Sequence, residues 1–213
     1  MRVLVLYGDY FHPGQAARAG LDLLAKTNSE FEFDWVGDVT NWSPETLSNY
    51  PLVILTKSDH TSATDKTPWM TPEVEQAFQE YVHQGHGLLA IHSGTAGYAG
   101  AKVLRGLLGG VFDHHPAQCD VSLEPQPGAL LAGEVANFTV FDEHYFMDTG
   151  PEGNTIFLST RSEHGVQPGG WTRQEGPGRV CVLTPGHNPA VWMHPNYQSL
   201  LQKAILWASK TGV

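Results

Sequence analysis

Histidines follow several short apolar segments of this chain, at the points where those segments end. They are, in chain order, His12, His60, His92 and His187. Imidazole titrates near neutral pH and binds divalent metals, so histidine serves both proton transfer and metal ligation. If the apolar segments are parallel strands, their carboxyl ends open into one crevice, and these four loops line it.

His92 ends an apolar segment and is followed at once by Ser93-Gly94, a pair that permits a tight turn into a helix. We expect His92 and His187 to be catalytic, as acid–base groups or as ligands. A core histidine bonded to the backbone is the alternative for His92. Ser93 does not stand in a Gly-x-Ser-x-Gly motif, which disfavours a hydrolase nucleophile.

A second group of ionisable residues occupies positions 142–145. In extended chain, Asp142 and His144 share one face, and Glu143 and Tyr145 share the other. Carboxylates and imidazoles together suit a divalent metal, so we expect Glu143 or His144 to assist catalysis. A solvated, charged turn is the alternative.

The sequence contains neither a His-Glu-x-x-His helix nor a paired cysteine motif, so a metal site must be assembled from distant loops. The candidate ligands for a divalent metal such as zinc are His12, His92 and His187. Acid–base catalysis by these histidines without a metal is the alternative. The loop at 8–14 lacks the glycine spacing of a dinucleotide fingerprint, so neither NAD nor FAD is expected.

Candidate sugar-binding residues lie in the same loops and near a glycine-rich turn. Trp171 and Arg179 flank that turn, and an aromatic face with a guanidinium group suits a sugar ring and its hydroxyls. Packing within the fold is the alternative for Trp171. We assign substrate binding also to His12, Asp59 and His60.

Composition restricts the class of protein. The 213 residues are 41% hydrophobic and 16% charged, as in an ordinary globular chain, and we expect one domain over 1–213. The net charge of −10, with 12 Lys and Arg residues, disfavours nucleic-acid and membrane partners. Two cysteines indicate a reducing compartment, and no segment approaches 18 apolar residues, so a cytoplasmic location is expected.

Alternating apolar and amphipathic segments predict an α/β fold with a mainly parallel central sheet. Strands of this sheet are expected at 3–7, 31–36, 52–55, 87–91 and 179–183, and helices at 15–26, 72–84, 103–108 and 195–209. The first helix should bury Ala16, Ala19, Leu23 and Leu24. Residues 112–159 read as an antiparallel β extension, and turns are expected at 168–170 and 176–178.

These residues together resemble the trehalose-utilisation (ThuA-like) family. The matching elements are the apolar strand ending in His92, the box at 142–145, the stretch from Trp171 to His187, and the closing helix with Trp207. The resemblance implies a flavodoxin-like, class I glutamine-amidotransferase-like α/β fold. It also implies a link to disaccharide or keto-sugar metabolism.

The implied fold allows a comparison at the strand end. In class I amidotransferases a Gly-x-Cys-x-Gly elbow carries the nucleophile, and the resemblance places His92 where that cysteine stands and His187 near the catalytic histidine. Without a thiol, glutaminase chemistry is excluded. We therefore expect an enzyme acting on a sugar or keto-disaccharide by acid–base chemistry, with or without a metal. The alternative is a non-catalytic sugar-binding or assembly protein; the partners expected are a small sugar and, through the exposed extension, a second copy.

Overall fold

The computed structural model describes residues 1–150 and 153–210. Its strands are β1 (Arg2–Tyr7), β2 (Glu32–Val36), β3 (Leu52–Thr56), β4 (Gly87–Ile91), β5 (Gly110–His114), β6 (Cys119–Pro125), β7 (Phe138–Asp142), β8 (Phe146–Thr149), β9 (Thr155–Ser162), β10 (Gly165–Glu175) and β11 (Gly178–Leu183). Its α-helices are α1 (Gln15–Thr27), α2 (Pro72–His83), α3 (Lys102–Leu108), α4 (Pro189–Met193) and α5 (Pro195–Ala208). Two 3₁₀ helices cover Pro44–Asn49 and His92–Thr95.

The main sheet has the strand order β2-β1-β3-β4-β11-β10-β9-β6-β7. The pairs from β2 to β11 are parallel, and those from β11 to β7 are antiparallel. β5 and β8 form a separate antiparallel ribbon. The predicted α/β fold, with a mainly parallel sheet and an antiparallel extension, is confirmed.

Helices cover both faces of the parallel strands and bury them. α1, α4 and α5 pack on one face, and α2 and α3 on the other. β3 and β4 are therefore buried along their whole length, which is why they read as continuous apolar runs. Each fully buried large aliphatic side chain contributes about 1.5–3 kcal/mol to folding.

The buried face of α1 differs from the predicted one. Ala17, Gly20, Leu21 and Leu24 are buried, whereas Ala19 is exposed. A Cβ at Gly20 would lie 2.7 Å from Cβ of Trp192, so only glycine at this position leaves room for the Trp192 side chain. Hydrophobicity alone does not reveal this contact, because glycine adds nothing to an apolar pattern.

The turn predicted at 168–170 is wrong. These residues lie within β10, where the pairing with β9 shifts register. A Cβ at Gly170 would lie 2.8 Å from the Phe157 ring, so the glycine serves close packing in an irregular strand. Gly176, with φ of 57°, does form the predicted turn into β11.

No helix within the described residues is both long and apolar enough to cross a membrane.

α3 begins at a position that offers no capping side chain, because its N-cap residue is Ala101. The buried carboxylate of Glu75, on α2, replaces the cap. Its Oε2 accepts hydrogen bonds from N–H of Val103 at 2.7 Å and of Leu104 at 3.0 Å. This contact links the two helices on one face of the sheet.

We predict that Glu75→Ala lowers the free energy of unfolding by about 2–3 kcal/mol, because two N–H groups at the start of α3 lose a charged acceptor. Denaturant unfolding measures this change. Glu80→Ala, at an exposed position of the same helix, is the matched control and should change stability by less than about 0.5 kcal/mol. Equal effects of the two substitutions would contradict the capping role.

Candidate metal and substrate site

The chain turns sharply where β4 ends, and the predicted elbow is confirmed. His92 has φ of 48°, a left-handed conformation that costs a non-glycine residue about 1–3 kcal/mol. A Cβ at Gly94 would lie 1.9 Å from the carbonyl oxygen of Leu55, so the turn requires glycine there. The result is an imidazole held at the carboxyl edge of the sheet, with its side chain 1% exposed.

Four side chains from four separate loops converge at this edge. They are His12 after β1, His92 at the end of β4, Glu143 after β7 and His187 after β11. Glu143 Oε2 lies 3.2 Å from His187 Nδ1, 3.4 Å from His92 Nε2 and 4.0 Å from His12 Nε2. All four candidate ligand atoms lie within 4.8 Å of one another, so the group could hold a metal ion. We call it the His₃Glu cluster.

The outer nitrogens of two of these imidazoles are already engaged. His12 Nδ1 lies 3.0 Å from Asp9 Oδ1, and His92 Nδ1 lies 2.9 Å from the carbonyl oxygen of Thr184. Since a carbonyl or carboxylate oxygen only accepts, each Nδ1 carries a proton, and in the neutral ring Nε2 presents a lone pair. Metal-binding histidines in proteins are oriented by such outer contacts.

The inner nitrogens are buried and lack hydrogen-bond partners among the described residues. They are His12 Nε2, His92 Nε2 and His187 Nδ1. Although His187 Nδ1 is close to Glu143, the contact does not have hydrogen-bond geometry. Donors around a tetrahedral zinc ion lie ~3.4 Å apart, and Glu143 Oε2 lies close to that distance from His187 Nδ1 and His92 Nε2. The residues present thus fit a divalent ion in number, type and orientation.

Charges at the cluster are strongly coupled. Burial raises the pKa of Glu143, but His12, His187 and His92 outweigh it and hold that pKa far below its usual range. Burial lowers the pKa of His12, but Asp9 and Glu143 raise it to about 9. Burial also lowers the pKa of His92, and Glu143 only partly opposes this. Asp9 stays ionised, because the His12 contact outweighs burial and brings its pKa to about 2.

Asp142 positions the loop that carries His187. Its buried carboxylate accepts hydrogen bonds from N–H of Gly186 at 2.9 Å and of His187 and Asn188 at 3.0 Å each. Because the next residue is Glu143, a single chain segment both orients this loop and supplies the carboxylate of the cluster.

Lys57 joins the loops after β1 and β2. Its ammonium is fully buried and donates to the carbonyl oxygens of Gly8 at 2.6 Å and Gly37 at 2.9 Å. Burial lowers the pKa of Lys57 to about 8, and Asp9 opposes this only in part. The Asp9 carboxylate in turn accepts N–H of Ser58 at 3.0 Å, so one polar network fixes the loop that presents His12.

An open cavity of about 440 Å³ adjoins the cluster and has largely aromatic walls. We call it the aromatic cavity; its lining side chains are Phe11, His12, Ser58, His60, Ala96, Gly97, Phe112, His115, Glu143, Tyr145 and His187. The Tyr145 ring stacks on His92 with centroids 4.0 Å apart. His60 also lines this cavity, and its Nδ1 lies 3.0 Å from Ser58 Oγ; its role in substrate binding stays a prediction.

Two residues assigned to sugar binding lie elsewhere. Trp171 is 0% exposed in the core, and its Nε1 donates to the carbonyl oxygen of Leu108, so its face cannot stack on a sugar. Arg179 pairs with Gly87 at the amino end of β4, the edge opposite the cluster. Its guanidinium lies over Trp207 and donates to the carbonyl oxygen of that residue.

Two further assignments are corrected to structural roles. His144 is buried beside β9, where its nitrogens lie 2.7 Å from Ser162 Oγ and 3.2 Å from Thr160 Oγ1. It thus faces away from Glu143, as the alternation of extended chain requires. Asp59 Oδ1 accepts N–H of Trp69 and Met70, which folds the long loop after β3 back on itself.

Sequence reasoning did not assign four residues that shape this site. His115 and Tyr145 form cavity wall, and Asp9 and Lys57 hold the loop of His12. The histidine pair at 114–115 and the acid directly after β1 are visible in the sequence, but their partners are remote. Nothing in the local pattern marks Lys57 as a buried cation.

Comparison with known proteins agrees with this structure. The sequence pattern of the family described as trehalose utilisation, ThuA, matches residues 2–208. None of the curated proteins matches this chain. A ThuA-like protein from Parabacteroides merdae has a TM-score of 0.77 and 19% identity, covering 100% of this chain and 91% of that chain.

Two other solved structures share the fold at lower similarity. A cytoplasmic protein from Salmonella typhimurium gives a TM-score of 0.69 at 15% identity, covering 98% of this chain and 99% of that chain. A glutamine amidotransferase from Thermotoga maritima gives 0.59 at 14% identity, covering 99% and 98%. These similarities define an amidotransferase-like α/β fold, in which His92 occupies the sharp turn at the end of β4. The family pattern covers nearly the whole chain, so the chain belongs to the trehalose-utilisation (ThuA) family, and the predicted resemblance is confirmed.

We predict that stability rises between about pH 8 and pH 10.5 relative to Lys57→Met. The pKa of Lys57 is about 8 in the folded chain against an ordinary value of 10.5. Between these values the unfolded chain binds more protons, so raising the pH favours folding. Denaturant unfolding at the two pH values measures the difference. Lys26→Met, at an exposed position, should follow the wild-type pH profile; a Lys57→Met profile parallel to wild type would refute the prediction.

Proposed function

We propose that this protein is an enzyme of carbohydrate metabolism that acts on a sugar or keto-disaccharide by metal-assisted acid–base chemistry. The ligands of the metal are the members of the His₃Glu cluster: His12, His92, Glu143 and His187. The observation that carries the proposal is the set of three buried imidazole nitrogens, each without a hydrogen-bond partner, around one carboxylate. The family description supports the sugar substrate.

The donor set favours zinc or a similar divalent first-row ion, since it combines imidazole nitrogens with one carboxylate oxygen. Such an ion supplies a Lewis acid for a sugar carbonyl or hydroxyl oxygen. Asp9 and the Thr184 carbonyl keep one proton of His12 and of His92 on the outer nitrogen, so each neutral ring offers its inner lone pair. His12, whose pKa is about 9, holds a second proton that it would lose when the cluster binds a metal ion.

His115 is the residue best placed to accept a proton from a bound sugar. Its Nδ1 lies 2.7 Å from the carbonyl oxygen of Pro116 and must donate to it. The neutral ring therefore has a bare Nε2, which lies 3.6 Å from Glu143 Oε1 at the wall of the aromatic cavity. A base in this position is next to any group bound at the cluster.

Aromatic rings provide the surface on which a sugar ring can lie. Phe11 and Phe112 line the cavity, and the exposed fraction of Phe11 is 61% although it is a large apolar residue. Apolar faces of this kind stack on the C–H faces of sugars and exclude water from the reacting atoms. In this proposal Phe11 and Phe112 provide the aromatic stacking surface for the sugar, the role that the sequence predicted for Trp171.

A cytoplasmic location is part of the proposal, and it is supported by the description of the Salmonella relative as a cytoplasmic protein.

We predict that the purified protein contains about one divalent ion per chain. Glu143→Gln preserves the side-chain shape but removes the charge, and it should weaken metal affinity about a hundredfold or more; His187→Ala should do the same. Elemental analysis and competition with a chelator measure this. His164→Ala, at an exposed site, is the control. A wild-type protein that binds no divalent ion would refute the metal site.

We predict that His115→Gln retains the metal but lowers kcat on 3-keto-disaccharides about 10²–10⁴-fold, because a positioned base is lost. Steady-state kinetics on a panel of keto-sugars measures this. His114→Gln is the matched control, since that exposed neighbour pairs with Asp113 instead. Sugar binding without turnover of any substrate would instead favour the non-catalytic, sugar-binding alternative.

A further inference from the structure

A second cavity, of about 190 Å³, adjoins the His₃Glu cluster at the start of α1. We call it the helix cavity; its lining residues are Phe11, His12, Pro13, Gly14, Gln15, Ala16, Ala17, Thr56, Ser93, Gly186, His187 and Pro189. It shares His12 and His187 with the cluster. Its volume is too small for a disaccharide and suits a single substituent of a larger ligand.

The start of α1 presents open N–H groups to this cavity. Gly14 is the N-cap residue, no side chain of the described residues caps the helix, and its first turn contains no acidic residue. Gly14 has φ of 90°, and a Cβ there would lie 2.5 Å from the Tyr7 ring, so this position cannot hold a capping side chain. The first-turn N–H groups lack intrahelical acceptors and carry the positive end of the helix dipole.

Two buried residues line the same cavity with hydroxyls that form no hydrogen bond within the described residues. Ser93 is 1% exposed and Thr56 is 5% exposed, so what remains accessible of them lies at the cavity. The other buried serine and threonine hydroxyls of the described chain all form a hydrogen bond. Hydroxyls of buried residues are seldom left without a protein partner, so two at one cavity are available to donate hydrogen bonds to a ligand there.

We propose that the helix cavity is the subsite for an anionic group, a carboxylate or a phosphate, carried by the sugar substrate. The cavity offers N–H and O–H donors, and no acidic residue is among its lining residues in the described chain. Helix N-termini with open N–H groups bind such anions. This inference rests on the proposed function, because it defines the substrate as a sugar acid or sugar phosphate that reaches the adjoining cluster.

The test uses calorimetric titration of the protein as purified with inorganic phosphate, D-gluconate and neutral D-glucose. At least one anion should bind about tenfold or more tightly than glucose. Tighter phosphate binding identifies a sugar phosphate, and tighter gluconate binding a sugar acid. If neither anion binds better than glucose, the subsite is refuted.

Gln15→Glu separates the subsite from simple coordination of the anion by a metal. The substitution adds one negative charge to the first turn of α1, so it should weaken anion binding about tenfold while the fold stays intact, since acids stabilise helix N-termini. Ser93→Ala should weaken binding about fivefold by removing a donor. Ala19→Glu adds the same charge at an exposed position of α1 outside the cavity and is the control.

Equal anion affinity in wild type, Gln15→Glu and Ser93→Ala would overturn the subsite, because the anion then binds elsewhere. Thermal unfolding of each variant verifies that the fold is retained. Failure of the proposed function is distinguishable from this result. If Gln15→Glu weakens anion binding in a protein that has neither metal nor turnover, the subsite is supported and the proposed function is refuted. If the protein turns over a sugar but its anion binding is unaffected by Gln15→Glu, the proposed function is supported and the subsite is refuted.

Discussion

The carboxylate of Glu143 is the interaction on which the arrangement of this site depends. It places one negative charge among three imidazoles that come from three different strand ends. Without it, buried nitrogens with inward lone pairs would face one another with no favourable contact. Burial lowers the pKa of His12, but Asp9 and the Glu143 charge together raise it to about 9. The antiparallel extension therefore does more than widen the sheet, because it carries this carboxylate to the carboxyl edge of the parallel strands.

Around the cluster, buried carboxylates hold the loops in place through hydrogen bonds, and a few side-chain nitrogens are left without a hydrogen-bond partner. Asp9 and Asp142 each accept three backbone N–H groups, so the loops after β1 and β11 are fixed by buried charge. Within the described residues, the buried side-chain nitrogens without partners are three of the cluster imidazoles and the Trp42 indole. Unmet hydrogen-bonding capacity is thus concentrated where a ligand would supply the missing contacts.

Much of this was predictable from sequence, and the failures have specific causes. The strand ends carrying His12, His92 and His187 were correctly brought to one crevice, because parallel strands share a carboxyl edge. Glu143 was foreseen from its box, and alternation places His144 on the opposite face, but the sequence does not tell which face meets the crevice. Arg179 is near the start of β11 and therefore lies at the amino edge of the parallel strands, away from the cluster. Trp171 was misplaced because no local pattern tells whether an aromatic face meets a ligand or, as here, the core.

The sequence by itself determined the parallel strands, the loops that follow them and the elbow at His92, because these depend on local apolar runs, glycines and chain direction. Only the tertiary structure decided which nitrogens are free and which carboxylate meets them. The proton of His92 is held by the carbonyl of Thr184, 92 residues away, and the cap of α1 is excluded by a ring from β1. Such contacts arise from packing between remote segments, and neither residue type nor spacing along the chain specifies them.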